Sequence, residues 1–137
     1  MILPIIKTLP IGENVDGNVL KFADKETLRE SAELYFSSVK SHRTKGWKLH
    51  KEMIMRLGVI AGQVSFCFYS VDESHLQTTT LDFSANALIL VPPNIWFAFR
   101  NEDTATAVIV NLASIEHSEE EVLRRPLDSL EFIRKFR

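Results

Sequence analysis

Residues 64–71 read VSFCFYSV. Val64, Phe66 and Phe68 fall on one side of this stretch and Ser65, Cys67 and Tyr69 on the other. That period-two alternation is expected of a strand with one face in a core. Turn-forming clusters recur on either side of it about every ten residues. They fall at residues 12–17, 41–45, 61–62, 72–74, 84–86, 92–94 and 101–103. The runs between them are short and rich in β-branched and aromatic residues. Residues 86–91 and 105–112 are nearly all apolar, as in strands covered on both sides. Residues 95–99 are aromatic-rich and follow a Pro-Pro turn. Residues 77–80 are polar and Thr-rich, which suits a strand near a sheet edge. This rhythm predicts an all-β sandwich or barrel rather than alternating βαβ units.

Two stretches depart from the strand pattern. Residues 24–39 open like a helix, with Asp24 as N-cap and Leu28, Ala32 and Tyr35 on one stripe. Their second half, 34–39, reads equally well as a strand, so a short helix or turn followed by a strand is expected. After Leu112, Ser118 with Glu121 three residues on has the form of a capping box. Arg124 and Arg125 follow near the C-terminal end of this helical appendage, and Pro126 stops it. On this reading Glu119, Glu120 and Glu121 are a solvated helix start. His42, His75 and His117 lie in turns or the tail and are expected to be exposed.

The chain has 137 residues, 45% of them hydrophobic and 25% charged. That length and composition fit a single globular domain over residues 1–137. Nine Phe and two Trp supply a core without covalent staples. A net charge of −2 gives no field that favours nucleic acid or an anionic membrane. Cys67 is the single cysteine, so no internal disulfide forms, and with no activating group beside it a packed thiol is expected. The apolar opening MILPIIKTLP is interrupted by Pro4 and Lys7 and has no basic lead or small-residue cleavage site. No window reaches the roughly 18 apolar residues of a membrane span. A cytoplasmic protein is therefore expected. Gly-rich phosphate loops, Gly-x-Ser-x-Gly elbows and Cys-x-x-Cys pairs are absent from the sequence.

Two segments carry a resemblance. Residues 45–62, KGWKLHKEMIMRLGVIAG, look like Arg-Gly, an apolar residue, His, any residue, His or Gln, then a basic residue, a strand and a Gly turn. Residues 90–101, LVPPNIWFAFRN, look like Ile-Pro-Pro-Gly, two residues, His-Gly-Phe. With residues 111–128 as a closing segment, the chain resembles the dTDP-4-dehydrorhamnose 3,5-epimerase family over roughly residues 40–130. The resemblance implies a cupin-type double-stranded β-helix, or jelly roll, with a short C-terminal helical appendage. It also implies a homodimer built through N-terminal strands. In that family a His removes a proton next to a ketone, an Asp orients the His, a Lys supports the enolate and a Tyr returns a proton. No metal or redox cofactor takes part.

Carried across by the same resemblance, Lys48 stands at the His position and His50 at the following His or Gln. Arg56 stands at the basic residue, Asp128 at the orienting Asp, Phe97 at the second-motif His and Ile109 near the Tyr. These substitutions mark a divergent member in which the ordinary 3,5-epimerase reaction is not expected. Of the slots a metal-binding cupin uses, only His50 is a good ligand, so no metal is expected.

The spacing of Lys48 and His50 puts both on one face of a strand. Either that face lines the barrel, or Trp47 and Leu49 turn inward and the pair is solvated. Facing inward, burial would lower the pKa of Lys48, and Lys48, His50 and Asp128 form the candidate catalytic set. Arg56 is the candidate contact for an anionic group, with Lys45, Trp96 and Asn111 as further ligand contacts. Arg56 could instead pair with Glu52, and Trp96 could instead pack in a core or interface.

Two functions follow. The first is an epimerase or isomerase of a dTDP-4-keto-6-deoxyhexose in surface polysaccharide synthesis, with Lys48 or His50 as base. The second is a non-catalytic cupin that binds a nucleotide sugar or another small anion, or acts as a partner subunit in the same pathway.

Overall fold

A computed structural model describes residues 3 to 129. One five-stranded sheet runs, in spatial order, β1 (Ile5–Thr8), β9 (Ala87–Val91), β6 (Met55–Ala61), β11 (Ala107–Ala113) and β4 (Glu33–Val39). The facing sheet runs β12 (Val122–Arg124), β5 (Thr44–His50), β10 (Ile95–Asn101), β7 (Gln63–Ser70) and β8 (Leu76–Asp82). Every pair of neighbours is antiparallel. A two-stranded ribbon of β2 (Ile11–Gly12) and β3 (Val19–Leu20) precedes a five-residue helix, α1 (Lys25–Arg29). No helix among the described residues is long and apolar enough to cross a membrane.

Several of the turns sit where the chain changes sheet. Ala61-Gly62 carries it from β6 in the first sheet to β7 in the second, and Pro92-Pro93-Asn94 carries it from β9 to β10. Consecutive strands that cross between two facing sheets make this a jelly roll, the fold expected from the rhythm of turns.

The alternation of residues 64–69 sets the core. Val64, Phe66 and Phe68 are fully buried between the sheets, beside Phe97 and Phe99 of β10 and Leu57, Val59, Ile89 and Ile109 of the first sheet. Cys67 and Tyr69 face the other way, into a second cluster with Trp47, Leu49, Trp96 and Ala98. That outer cluster is covered by the C-terminal segment through Leu127.

Asp24 caps α1 by accepting the Thr27 N–H at 2.8 Å, and the chain then enters β4, so the helix-then-strand reading holds. The helical appendage does not. Residues 119–121 form one 3-10 turn, Ser118 makes no side-chain cap, and β12 follows as a strand on the edge of the second sheet. Backbone pairing with β5 wins over the local capping pattern: Val122 opposes His50 and Arg124 opposes Lys48.

Candidate functional site

A cavity of about 320 Å³ opens between the two sheets. Strand β5 supplies Lys45, Lys48 and His50 to its lining, and β10 supplies Phe97 and Phe99. The first sheet contributes Tyr35 and Ser37 from β4, Met55 and Leu57 from β6, and Ile109 and Asn111 from β11. Strict alternation would put Lys45 and Lys48 on opposite faces. A bulge prevents this: Phe97 opposes Lys48 while Ala98 opposes Gly46, leaving Trp47 as the extra residue. The bulge needs Gly46. Its φ is +150°, and a Cβ there would stand 2.6 Å from the Ala98 Cβ.

His50 is 5% exposed and meets a carboxylate. Its Nδ1 lies 3.0 and 2.9 Å from the two oxygens of Glu121, which is itself buried and also accepts the Met53 N–H at 3.2 Å. A carboxylate only accepts, so Nδ1 carries the proton and Nε2 keeps its lone pair. The ring is stacked on Phe97 at 5.7 Å and 12° between planes, which fixes its plane. Burial lowers the His50 pKa below its ordinary value, and the hydrogen bond and charge of Glu121 pull it partly back. The imidazole is thus held neutral, oriented and basic at one nitrogen.

Across the cavity, the Tyr35 hydroxyl accepts from Asn111 Nδ2 at 2.8 Å and donates to the Met53 sulfur at 3.9 Å. Burial raises the Tyr35 pKa, opposed by the Asn111 hydrogen bond, so the phenol stays protonated. Asn111 is 2% exposed, and its Oδ1 accepts the Arg56 backbone N–H at 3.0 Å. Asn111 therefore joins β6 to β4 and aims the tyrosine.

Lys48 is half-buried. Desolvation lowers its pKa, and repulsion from Arg124 and Lys45 adds to the shift. Lys45 is exposed, with Nζ donating to the Ser38 carbonyl at 3.3 Å and lying 6.0 Å from the Phe99 ring centroid. His117 also lines the cavity while remaining 42% exposed, and it bonds Glu119 at 2.8 Å. Arg124 and then His117, through hydrogen bonds, hold the exposed Glu119 carboxyl at about 2.

Lys45, Lys48, His50 and Asn111 are thus gathered at one cavity. Arg56, Trp96 and Asp128 are not. Arg56 points through the opposite face of the first sheet, because its neighbours Met55 and Leu57 take the inward positions. Its ionic neighbour is Glu30 at 3.5 Å, not Glu52. Trp96 is one residue out of phase with Phe97 and packs in the outer cluster, 5.2 Å from the Arg125 guanidinium. Asp128 is exposed on the 3-10 turn at 127–129, and the carboxylate that orients His50 is Glu121 instead. Glu121 was hidden by its capping-box spacing and Tyr35 by its place on an apparent helical stripe. The usable signal for Tyr35 was its period-two relation to Ser37 and Val39. Among the described residues no cluster of three or more His, Cys, Asp or Glu side chains is placed to hold a metal.

The family model described as FdtA: WxcM-like, C-terminal matches residues 5–135. No curated protein matches significantly. Among solved structures, a dTDP sugar isomerase from Desulfovibrio desulfuricans G20 is 26% identical, with a TM-score of 0.83 over 94% of this chain and 90% of that one. A His-to-Asn variant of the 3,4-ketoisomerase QdtA from Thermoanaerobacterium thermosaccharolyticum, in complex with TDP-4-keto-6-deoxyglucose, is 16% identical with a TM-score of 0.79, covering 91% and 89%. A dTDP-4-dehydrorhamnose 3,5-epimerase from Elizabethkingia anophelis NUHP1 is 14% identical with a TM-score of 0.74, covering 88% and 74%. Jelly-roll topology, a cavity between the sheets that gathers Lys48, His50, Tyr35 and Asn111, and a match over nearly the whole sequence converge: the chain belongs to the FdtA, WxcM-like C-terminal family of cupins.

Proposed function

We propose that this protein is a cofactor-independent isomerase or epimerase of a dTDP-4-keto-6-deoxyhexose in deoxysugar synthesis. The observation that carries the reading is the buried His50–Glu121 pair in the wall of a cavity shared with Tyr35. His50 Nε2 takes the proton from the carbon next to the ketone, and the electron pair left behind forms an enolate. The Lys48 ammonium balances the oxyanion, and Tyr35 supplies a proton to the intermediate. Proton delivery from Tyr35 to the same carbon on its opposite face gives an epimer, and the His50 imidazolium and Tyr35 phenolate re-equilibrate through solvent. Delivery of the His50 proton to the former carbonyl carbon, with the enolate oxygen gaining a proton from Tyr35 and the neighbouring hydroxyl giving one up to the phenolate, moves the ketone by one position. His50 is the base rather than Lys48, because Glu121 and the Phe97 ring fix its tautomer and plane and so aim its Nε2 lone pair. The similar ketoisomerase that holds TDP-4-keto-6-deoxyglucose supports the choice of ligand class.

Incubation with dTDP-4-keto-6-deoxyglucose in D₂O tests the proposal. Deuterium is expected at a carbon next to the ketone, with conversion to an isomer. Calorimetric binding with no deuterium at any such carbon would instead assign the protein to the binding-only class.

A homodimer is part of the same proposal. On the outer face of the first sheet, Leu34 and Phe36 of edge strand β4 are 57% and 62% exposed, and Ile60 of β6 is 41% exposed. Pairing two such faces would cover them and shield the open edge. Light scattering is expected to give twice the 15.7 kDa chain mass, and Phe36→Ser to shift it toward the monomer.

A further inference from the structure

Strand β6 has two sides. Its inward residues Met55 and Leu57 line the barrel cavity, while Arg56 projects into a separate cleft of about 430 Å³ on the outer face. The floor of this cleft includes Leu88 and Leu90 of β9, and its rim carries Lys7 of β1 and Lys21 just after β3. Phe22 closes one side by packing over Gly58, where a Cβ would stand 2.6 Å from the Phe22 ring. The cleft is thereby divided from the exposed Leu34 and Phe36 at the far edge of the sheet.

Arg56 is 8% exposed, and its Nη1 is buried without an acceptor. Among the described residues its one ionic neighbour is Glu30, 3.5 Å from Nη2, and that side chain is 71% exposed. A second carboxylate, Asp24, also lines the cleft and accepts the Thr27 N–H. Arg56, Lys7 and Lys21 thus share the cleft with two acids, and neither meets Arg56 Nη1. Burying a guanidinium with an unmade hydrogen bond is costly, and an apolar residue of similar size would pack there more stably.

We propose that this outer cleft is a second binding site, for a small organic phosphate. The phosphate displaces the Glu30 carboxylate and takes the Arg56 guanidinium in a bidentate contact, with Lys7 and Lys21 balancing the rest of its charge. The apolar part of the ligand lies on Leu88 and Leu90. Phosphate is favoured over a single carboxylate because its dianion offers more acceptor oxygens to the Arg56 guanidinium and leaves charge for the rim lysines to balance.

Phenyl phosphate is the probe, titrated into the full chain by calorimetry while the leucine methyl signals are followed by NMR. Saturable binding that moves the Leu88 and Leu90 methyls is expected. Affinity should fall about tenfold or more in Arg56→Met and severalfold in the surface variant Lys21→Ala. His50→Asn, which alters the barrel cavity, should bind phenyl phosphate unchanged. Absence of saturable binding, or equal affinity in Arg56→Met, overturns the proposal. So does loss of binding in His50→Asn with the Leu88 and Leu90 methyls unmoved, since the signal then belongs to the barrel. If Arg56→Met does not fold by circular dichroism, Lys7→Ala/Lys21→Ala decides: undiminished affinity overturns the site.

Discussion

Strand β5 shows two surfaces built from alternate residues of one short segment. Lys48 and His50 look into the cavity, while Trp47 and Leu49 look outward and are buried more deeply than either. The outward pair acts as an anchor. Trp47 Nε1 donates to the Leu127 carbonyl at 2.9 Å, and its backbone exchanges bonds of 3.3 and 3.1 Å with Arg125. This clamp holds the tail along the sheet edge, and the same tail delivers Glu121 to His50 on the inward side. The inner face therefore depends on the outer one: orientation of the base is set by packing on the other side of the sheet.

The largest effect is expected at the base itself. His50→Asn removes the lone pair at Nε2 and should lower turnover by about 10³-fold or more. The far-UV spectrum should be kept, because the outer anchor is untouched. Retention of full turnover would move the chemistry to Lys48.

Glu121→Gln should cost less, about 10²-fold in turnover, because the imidazole remains but its tautomer is no longer imposed. It also changes the pH dependence. The folded His50 pKa lies below the unfolded value of 6.5, so the folded protein binds fewer protons than the unfolded chain between the two values. This group's contribution to stability is therefore fully present above pH 6.5 and is lost as the pH falls through the folded pKa. The acid limb of kcat/KM should likewise lie below 6.5. The Glu121 charge raises the His50 pKa, so without it the limb should move further toward acid in Glu121→Gln. A limb that stays in place would show that Glu121 does not set the base.

Much of this arrangement could be read from the residues, and the misses share a cause. The Lys-x-His spacing showed that Lys48 and His50 share one face of β5, and the cavity they line shows which face turns inward. The phase of β6 and β10 was not legible, because Met55, Arg56 and Leu57, and likewise Ile95, Trp96 and Phe97, offer large side chains at every position. A one-residue slip in reading exchanges the two faces, and it put Arg56 and Trp96 on the wrong side. Tyr35 was obscured because the outward positions of β4, Leu34 and Phe36, are apolar as well, which blurs the alternation. Glu121 comes from 71 positions away along the chain, and nothing local distinguishes its side chain from a helix-capping one.

The outer anchor can be loosened without disturbing its shape. Trp47→Phe keeps most of the buried ring and removes the bond to the Leu127 carbonyl, so stability should fall by about 1 kcal/mol. Because Trp47 also seats the tail, turnover should drop modestly, with KM changing less than kcat. Equal stability, measured by urea unfolding, would mean that the backbone pairing of β12 alone holds the tail.

The smallest effect is expected at Cys67, the outer-face counterpart of the reactive imidazole. Both side chains are buried, but the imidazole has a carboxylate partner, while desolvation alone pushes the Cys67 thiol up to about 12. At pH 8 only about one thiol in ten thousand is then ionised, and the thiolate is the nucleophile. Iodoacetamide should leave the folded protein unmodified and fully active, and should label one site after unfolding. Rapid labelling of the native protein would mean that the outer cluster opens, and with it the clamp on which the position of Glu121 depends.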